Sequence, residues 1–217
     1  SRGAEPALHV RPRLAAIDTT LLRDLVRIGA PAAIDMVVLN AGFLSIVGML
    51  GRIDPLAVAA HGVGLRVQAL AFVPGMSISQ AIGALVGQAL GADDTARAKA
   101  VLRSGAGLCV VVMSGLAALI IFGRSGIISI FDIDPDGALG AYAQEWMVLL
   151  GACMPAVGVH IAFVGLFQGS GATRIPLRIN VLMTLLMQIP LSWVLGFPLG
   201  WGTFGVWLAL PLSFVGK

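Results

Sequence analysis

The sequence predicts an all-α fold, a polytopic bundle of membrane-spanning helices. Of its 217 residues, 58% are hydrophobic and only 12% are charged, whereas a soluble domain carries about 25% charged residues. The mean hydropathy is +0.94, and several apolar stretches reach the ~20 residues that a membrane span needs. These observations exclude a soluble globular protein. No long polar tract or Gly-X-Y repeat is present, which excludes disordered and collagen-like chains.

Five apolar stretches are long enough to be complete spans, and a sixth begins at Phe204 and is cut off at Lys217. The second stretch is unusual because a continuous helix of that length would measure about 50 Å, against a hydrocarbon core of about 30 Å. It predicts either one long helix or two short helices broken at Pro74 and Gly75. The five stretches are residues 28–50, 56–90, 101–122, 146–167 and 179–197.

The distribution of Lys and Arg decides between these two possibilities. With one long helix, ten basic residues fall on one side of the membrane and two, Arg52 and Arg124, on the other. This asymmetry is a positive-inside pattern, and breaking the second stretch would destroy it. We therefore predict one long helix and a cytoplasmic N-terminus. The ten residues are Arg2, Arg11, Arg13, Arg23, Arg27, Arg97, Lys99, Arg103, Arg174 and Arg178.

The chain is interpreted as a piece of a longer membrane protein. It starts without Met, and its first 27 residues hold five Arg but no signal-peptide core. We expect residues 1–20 to be a cytoplasmic linker. Residues 21–217 would form a transmembrane bundle of five complete helices and a truncated sixth.

No soluble-enzyme motif is present, and we predict neither an enzyme nor a bound cofactor or metal. Cys109 and Cys153 lie within apolar stretches, so we expect them to pack in the interior rather than form a disulfide framework. The three histidines lie in separate segments and form no His-Glu-x-x-His pattern. The small excess of basic residues is explained by membrane orientation, so no nucleic-acid partner is expected.

Small residues recur at a spacing of four along the second stretch, which predicts a ridge where another helix backbone can approach closely. The ridge consists of Gly75, Ser79, Gly83, Gly87 and Gly91. Four prolines interrupt spans, where they can bend a helix and free backbone carbonyls. These are Pro31, Pro74, Pro155 and Pro190. Interfacial positions are expected for the aromatic residues Trp146, Trp193 and Trp201.

Asp35 is the carboxylate placed well inside a predicted span, about 10 Å from its start. A charge in the membrane is kept for a function or an internal partner. Asp35 therefore predicts a group that takes up and releases H⁺ or Na⁺ in an ion-coupled carrier. The alternatives are a structural partner for Arg66 and a protonated acid that is hydrogen-bonded to the backbone.

Other intramembrane polar residues are candidate cavity residues. Arg66 is a base within the second span, and His61 and Gln68 share a face of that helix because seven residues make nearly two turns. His160 can titrate near neutral pH, although a buried neutral histidine is the alternative. The full set of cation-coupling or substrate-binding candidates is Asp35, Arg66, Gln68, Gln80, Gln88 and His160.

Several motifs resemble the multidrug and toxic compound extrusion (MATE) family. They are residues 28–31 with an acid four residues after the Pro, residues 55–61, and the element Val86-Gly87-Gln88-Ala89-Leu90-Gly91-Ala92. Residues 167–171 before Thr173, Arg174 and Pro176, and then residues 205–207, follow the same order. The resemblance covers residues 21 to the end and matches the second of the family's two six-helix bundles.

The resemblance implies an alternating-access antiporter in which an H⁺ or Na⁺ gradient drives export of drugs or organic cations at the cell membrane. The partners would be small organic solutes, membrane lipid and the missing first bundle. Relatives often carry Glu at the place of Asp35, so the resemblance supports that acid. Members with an ion site in the second bundle have a carboxylate on the helix matching residues 146–167, and no carboxylate lies there in this sequence.

Two other functions stay open. A lipid-linked oligosaccharide flippase of the same superfamily would need several Arg or Lys in its cavity to hold a pyrophosphate, and only Arg66 lies well inside a span. A membrane scaffold without transport would need only the ridge of small residues. Substitution of Asp35 by Asn should abolish coupled export in a transporter and leave a scaffold unaffected.

Overall fold

The computed structural model describes the backbone of residues 19–216. It describes side chains for residues 36–214 and also for residues 23, 26, 30, 33, 34 and 216. The predicted linker therefore lies outside the described residues, except that the first helix already begins at Thr19. Seven α-helices and one π-helical segment make up the described part, and no strand is found there. The all-α prediction is confirmed.

The helices run up and down through the bundle. They are α1 (Thr19–Ile53), α2 (Pro55–Gly91), α3 (Thr95–Ile130), α4 (Ala138–Gly169), α5 (Arg174–Leu182), a π-helical segment (Met183–Gln188), α6 (Ile189–Gly196) and α7 (Gly202–Val215). In the described chain, α1 to α4 and the run Arg174–Gly196 are long and apolar enough to cross a membrane. The five predicted spans are thus confirmed, and α7 contributes the shorter apolar helix Gly202–Phe214.

The long second stretch is one continuous helix, as predicted. At a rise of about 1.5 Å per residue, α2 is roughly 55 Å long, and Pro74 lies inside it without ending it. The turns on either side account for its bounds. Asp54 caps α2 by accepting a hydrogen bond from the Leu56 N–H at 2.8 Å. After Gly91 the chain turns, and Asp94 caps α3 by accepting from the Arg97 N–H at 2.9 Å.

The fifth span departs from a plain α-helix immediately before Pro190. Proline has no N–H, and its ring clashes with the carbonyl four residues earlier, here that of Leu186. A wider π turn over Met183–Gln188 accommodates this conflict without ending the span. The predicted interruption at Pro190 is therefore confirmed as a local π-helix.

The centre of the bundle is α4, which packs against α2 and α3 and is buried over more of its length than the other spans. A large apolar cluster joins α1, α2, α3, α4 and α7, and a smaller one joins α2, α3 and α4 near the opposite end. The two ends of the bundle are named after a residue in one of their turns. The Asp54 end holds the turns at residues 54, 131–137 and 197–201, and the Asp93 end holds the turns at residues 92–94 and 170–173.

The predicted ridge on α2 is confirmed as the contact with α4. Ideal Cβ atoms on Gly165 and Gly169 would collide with the backbone oxygens of Ser79 and Gly83, and a Cβ on Gly83 would lie 3.2 Å from the Gly165 oxygen. The Ser79 hydroxyl donates to the Ile161 carbonyl at 2.8 Å. At Gly91 a Cβ would meet no atom within 4 Å, so the contact ends before that residue. We call this contact the glycine seam.

Candidate functional site

A cavity of about 310 Å³ lies beside the glycine seam, between α2 and α4, and reaches α1, α5 and α7. We call it the solute cavity. Its polar lining consists of hydroxyl, amide and imidazole groups on Ser79, Gln80, His160, Gln168 and Asn180. Its apolar lining includes Leu39, Phe72, Met76 and Phe214. No charged side chain lines it among the described residues, which suits an organic molecule with a flat apolar surface and a few hydrogen-bonding groups.

The helices fix where these side chains stand. Phe72, Met76 and Gln80 repeat every four residues on the face of α2 next to the seam, so they line one wall. The ring of His160 on α4 makes a T-shaped contact with the ring of Phe214 on α7, and the two ring centroids lie 6.0 Å apart. The predicted candidates Gln80 and His160 are thus brought together at one cavity.

The structure distributes the remaining candidates elsewhere. Gln68 lines a second, small cavity of about 20 Å³ that we call the Trp146 chamber. Arg66 and Gln88 are exposed on α2 and line neither cavity. The backbone of Asp35 is helical within α1, but its side chain lies outside the described residues. Asp35 precedes Leu39, which lines the solute cavity, by four residues.

An aromatic cluster occupies the Asp54 end. His61 is buried, and its ring stacks on Phe43 at 5.7 Å and meets the edge of Trp146 at 4.9 Å. Trp146 in turn lies 5.8 Å from Trp207. The ring nitrogens of His61 and the indole nitrogens of both tryptophans have no protein hydrogen-bond partner. Unpaired polar atoms of this kind are costly in an apolar interior.

Trp146 corrects one expectation. It is only 2% exposed, so its predicted place in an interfacial belt is wrong. Its indole fits inside because Gly64 on α2 has no side chain, and an added Cβ there would collide with Cδ1 and Nε1 of the ring. Trp193 and Trp201, in contrast, are about half exposed, as an interfacial position requires.

The sequence analysis missed a carboxylate on α4. The helix begins at Ala138, eight residues before the predicted span, and therefore carries Glu145, which is partly buried. The expectation that this helix has no carboxylate is wrong, because α4 begins about two turns before its apolar stretch. Nearby, the Tyr142 hydroxyl donates to Asp54 Oδ2 at 3.0 Å and ties α4 to the α1–α2 turn.

A buried polar stripe runs along the fifth span. Asn180, Thr184, Gln188 and Ser192 follow one another at a spacing of four, and all four are buried. Ser192 donates to the Val206 carbonyl at 3.0 Å, whereas the Thr184 hydroxyl has no partner. The repeat of polar residues at i, i+4, i+8 and i+12 was the available signal.

In the part of the chain that the structure describes, no group of three His, Cys, Asp or Glu side chains could hold a metal ion. Cys109 and Cys153 are both buried free thiols, as expected.

Comparison with known proteins agrees with this architecture. The family model MatE matches residues 31–194. The chain belongs to the MatE family. It is 29% identical over 213 residues to the probable multidrug resistance protein NorM of Bradyrhizobium diazoefficiens, covering 96% of this chain and 46% of that protein. It is 31% identical over 200 residues to the NorM of Rhodopseudomonas palustris, covering 91% and 42%.

Solved MATE structures share the fold. A crystal structure of MATE in the bent conformation superposes with a TM-score of 0.82 at 16% identity, covering 95% of this chain and 44% of that one. An inward-facing multidrug resistance MATE transporter of the MOP superfamily gives 0.79 at 16% identity, covering 94% and 46%. The chain therefore spans about half the length of the relatives it matches. The five apolar spans and the family together indicate a multi-pass membrane protein.

Proposed function

We propose that this chain is one bundle of an alternating-access antiporter that exports drugs or other small organic solutes, and that the solute cavity is where this bundle holds the solute. The cavity carries the proposal. It combines apolar walls with amide and imidazole groups that can hydrogen-bond in several orientations, a combination suited to varied solutes. The multidrug resistance proteins to which the chain is similar support the same function.

The division of the chain follows from this proposal. Residues 1–20 would be the linker from a preceding bundle, and residues 21–217 the second bundle of the transporter. Solute would pass between the two bundles as they move against each other. The predicted excess of Lys and Arg on one side supports a cytoplasmic Asp93 end.

Coupling to an H⁺ or Na⁺ gradient is assigned to Asp35. Its place on α1, one helical turn before Leu39 at the cavity, supports a role close to the solute. A carboxylate that binds the ion in one state and releases it in the other links the gradient to the movement of α1. Arg66, Gln68, Gln80, Gln88 and His160 are assigned to solute or ion contact along the path.

The cavity lining argues against the flippase. A pyrophosphate requires several cationic partners, and no Arg or Lys lines the solute cavity among the described residues. A scaffold would use the glycine seam but would have no use for the polar cavity beside it.

The test uses the full-length transporter in proteoliposomes, with export of ethidium measured under an imposed H⁺ or Na⁺ gradient. We expect Asp35→Asn to abolish gradient-driven export while the protein still folds. Asp93→Asn is the matched control because Asp93 is exposed in the α2–α3 turn, and its positive φ of 54° suits Asn equally. Export by Asp35→Asn at the wild-type rate would refute the coupling role, and no export by the wild type with any gradient would refute the function.

A further inference from the structure

A groove of about 510 Å³ lies between α1 and α6 at the Asp54 end of the bundle. It shares no lining residue with the solute cavity or the Trp146 chamber. One wall is a face of α1 on which Ser45, Gly48 and Arg52 recur at a spacing of three to four residues. The other wall belongs to α6 and includes Ile189 and Trp193. We call this space the α1–α6 groove.

Arg52 gives the groove a positive charge that the described part of the chain does not neutralise. Its side chain lines the groove, and within residues 19–216 it forms no ion pair or hydrogen bond. The acid nearest along the chain, Asp54, is engaged elsewhere, because its two carboxylate oxygens accept from the Leu56 N–H and the Tyr142 hydroxyl. A guanidinium without a counter-charge favours an anion, and its planar set of donors suits two oxygens of one phosphate.

The position of the groove in the membrane indicates where that phosphate comes from. Trp193 is 52% exposed, as expected for an indole at the membrane–water interface. Arg52 lies in the last turn of α1 and lines the same groove. Both side chains therefore stand at the level of the lipid headgroups, where the phosphate of a phospholipid is the abundant anion.

The rest of the groove suits a hydrocarbon chain. From Arg52 to Ser45 it follows α1 for about 10 Å, within the roughly 15 Å that one leaflet contributes to the hydrocarbon core. A Cβ added to Gly48 would meet no atom within 4 Å, so the space beside α1 is open there. Exposed apolar surface continues toward the middle of the bundle, with Leu44 66% and Leu186 70% exposed.

We propose that the α1–α6 groove is a binding site for an anionic phospholipid, such as phosphatidylglycerol, from the leaflet at the Asp54 end. The phosphate accepts hydrogen bonds from Arg52, the glycerol lies beside Trp193, and one acyl chain passes Gly48 toward the centre of the bilayer. The net negative charge of this lipid is attracted by Arg52, whereas the cationic group of phosphatidylcholine offsets that attraction. The site stands apart from the proposed solute path and does not rest on it.

The test uses the full-length transporter in phosphatidylcholine liposomes that contain a trace of a photoreactive lipid. The two probes are phosphatidylglycerol and phosphatidylcholine with the same diazirine-bearing acyl chain, and labelled peptides are located by mass spectrometry after irradiation. We expect the phosphatidylglycerol probe to label residues 44–52 and 186–193 about fivefold more than the other probe, the effect of one basic residue near a charged lipid. In Arg52→Gln its labelling should fall to that of the phosphatidylcholine probe.

Each part of the site has a matched control. Arg103→Gln removes an exposed arginine that lines neither the groove nor either cavity, and it should keep the fivefold preference. Gly48→Leu fills the groove and should lower labelling by both probes. Gly115→Leu places the same side chain on α3, where an added Cβ also meets no atom within 4 Å, and it should leave labelling unchanged. If Arg52→Gln does not fold, Gly48→Leu decides.

Three results overturn the lipid site. The first is equal labelling of the groove by both probes in wild-type protein. The second is an unchanged preference in Arg52→Gln, or undiminished labelling in Gly48→Leu where that variant decides. The third is no labelling of the groove by either probe, which would show that another part of the full-length transporter covers it. Export of ethidium by the same liposomes tests the proposed function separately, so either proposal can fail without the other.

Discussion

The two ends of the α2–α4 contact are built in opposite ways, although both depend on glycine. Toward the Asp93 end, Gly83, Gly165 and Gly169 bring backbone against backbone. Toward the Asp54 end, Gly64 makes room for the indole of Trp146, so a side chain rests on a backbone. In the first contact the nearest atoms to an added Cβ are backbone atoms, which cannot rotate away to relieve a clash. The second contains rings that can move.

This difference indicates where the bundle can deform. A backbone contact can change only if a whole helix shifts, so the glycine seam is a fixed crossing point between α2 and α4. At the Asp54 end, the rings of His61, Trp146 and Trp207 have unpaired nitrogens in this arrangement. A rearrangement that paired them would be favoured. Movement of the bundle should therefore pivot on the seam and open at the aromatic cluster.

The largest expected effect comes from adding one methyl group to the seam. In Gly165→Ala the new Cβ would collide with the Ser79 carbonyl oxygen. We expect a loss of about 3 kcal/mol in the free energy of unfolding, at the upper end for overpacking because backbone cannot move aside. The measurement is unfolding of the purified protein in mixed detergent micelles, followed by loss of helical circular dichroism.

Gly115→Ala on α3 is the matched control for this substitution. A Cβ at Gly115 would meet no atom within 4 Å, so only helix propensity acts, which raises stability by up to about 1 kcal/mol. The two substitutions thus differ in sign. Equal effects at Gly165 and Gly115 would show that the helices are not in backbone contact at the seam.

An intermediate effect is expected for the other kind of glycine contact. In Gly64→Ala the methyl group collides with the Trp146 ring, which can shift toward the small chamber beside it. The expected loss is about 1–2 kcal/mol, less than at the seam. Tryptophan emission should change in Gly64→Ala and stay constant in Gly165→Ala. An unchanged emission spectrum at Gly64 would argue that the indole does not rest on α2.

Sequence reasoning predicted the seam but not the aromatic cluster, and the reason is physical. Spacing along one helix shows that Gly75, Gly83 and Gly87 share a face, and close helix approach is the usual consequence. It contains no information about the partner helix, so the complementary Gly165 and Gly169 could not be matched to them. Trp146 was assigned to the membrane interface because it lay at the edge of an apolar stretch. Only the extension of α4 back to Ala138 places it inside.

For the candidate site, the sequence likewise predicted some residues but not how they are arranged. Polar residues within spans could be identified as exceptions to the surrounding apolar sequence, which led to Gln80 and His160. Which of them share a cavity depends on the rotation of α2 against α4, and that rotation is set by the seam. Hence Gln80 faces the solute cavity while Gln88, two turns further along α2, does not line it.

The smallest expected effect separates the seam's hydrogen bond from its packing. Ser79→Ala removes the bond to the Ile161 carbonyl but leaves the backbone contact with Gly165 intact. Hydrogen bonds between membrane helices contribute about 0.6 kcal/mol on average, so we expect a loss of that size in the same unfolding measurement. Ser77→Ala is the control, since the Ser77 hydroxyl is exposed and donates to Val73 of its own helix. A loss at Ser79 as large as that of Gly165→Ala would mean that the hydroxyl, and not the close approach of the two backbones, holds α2 against α4.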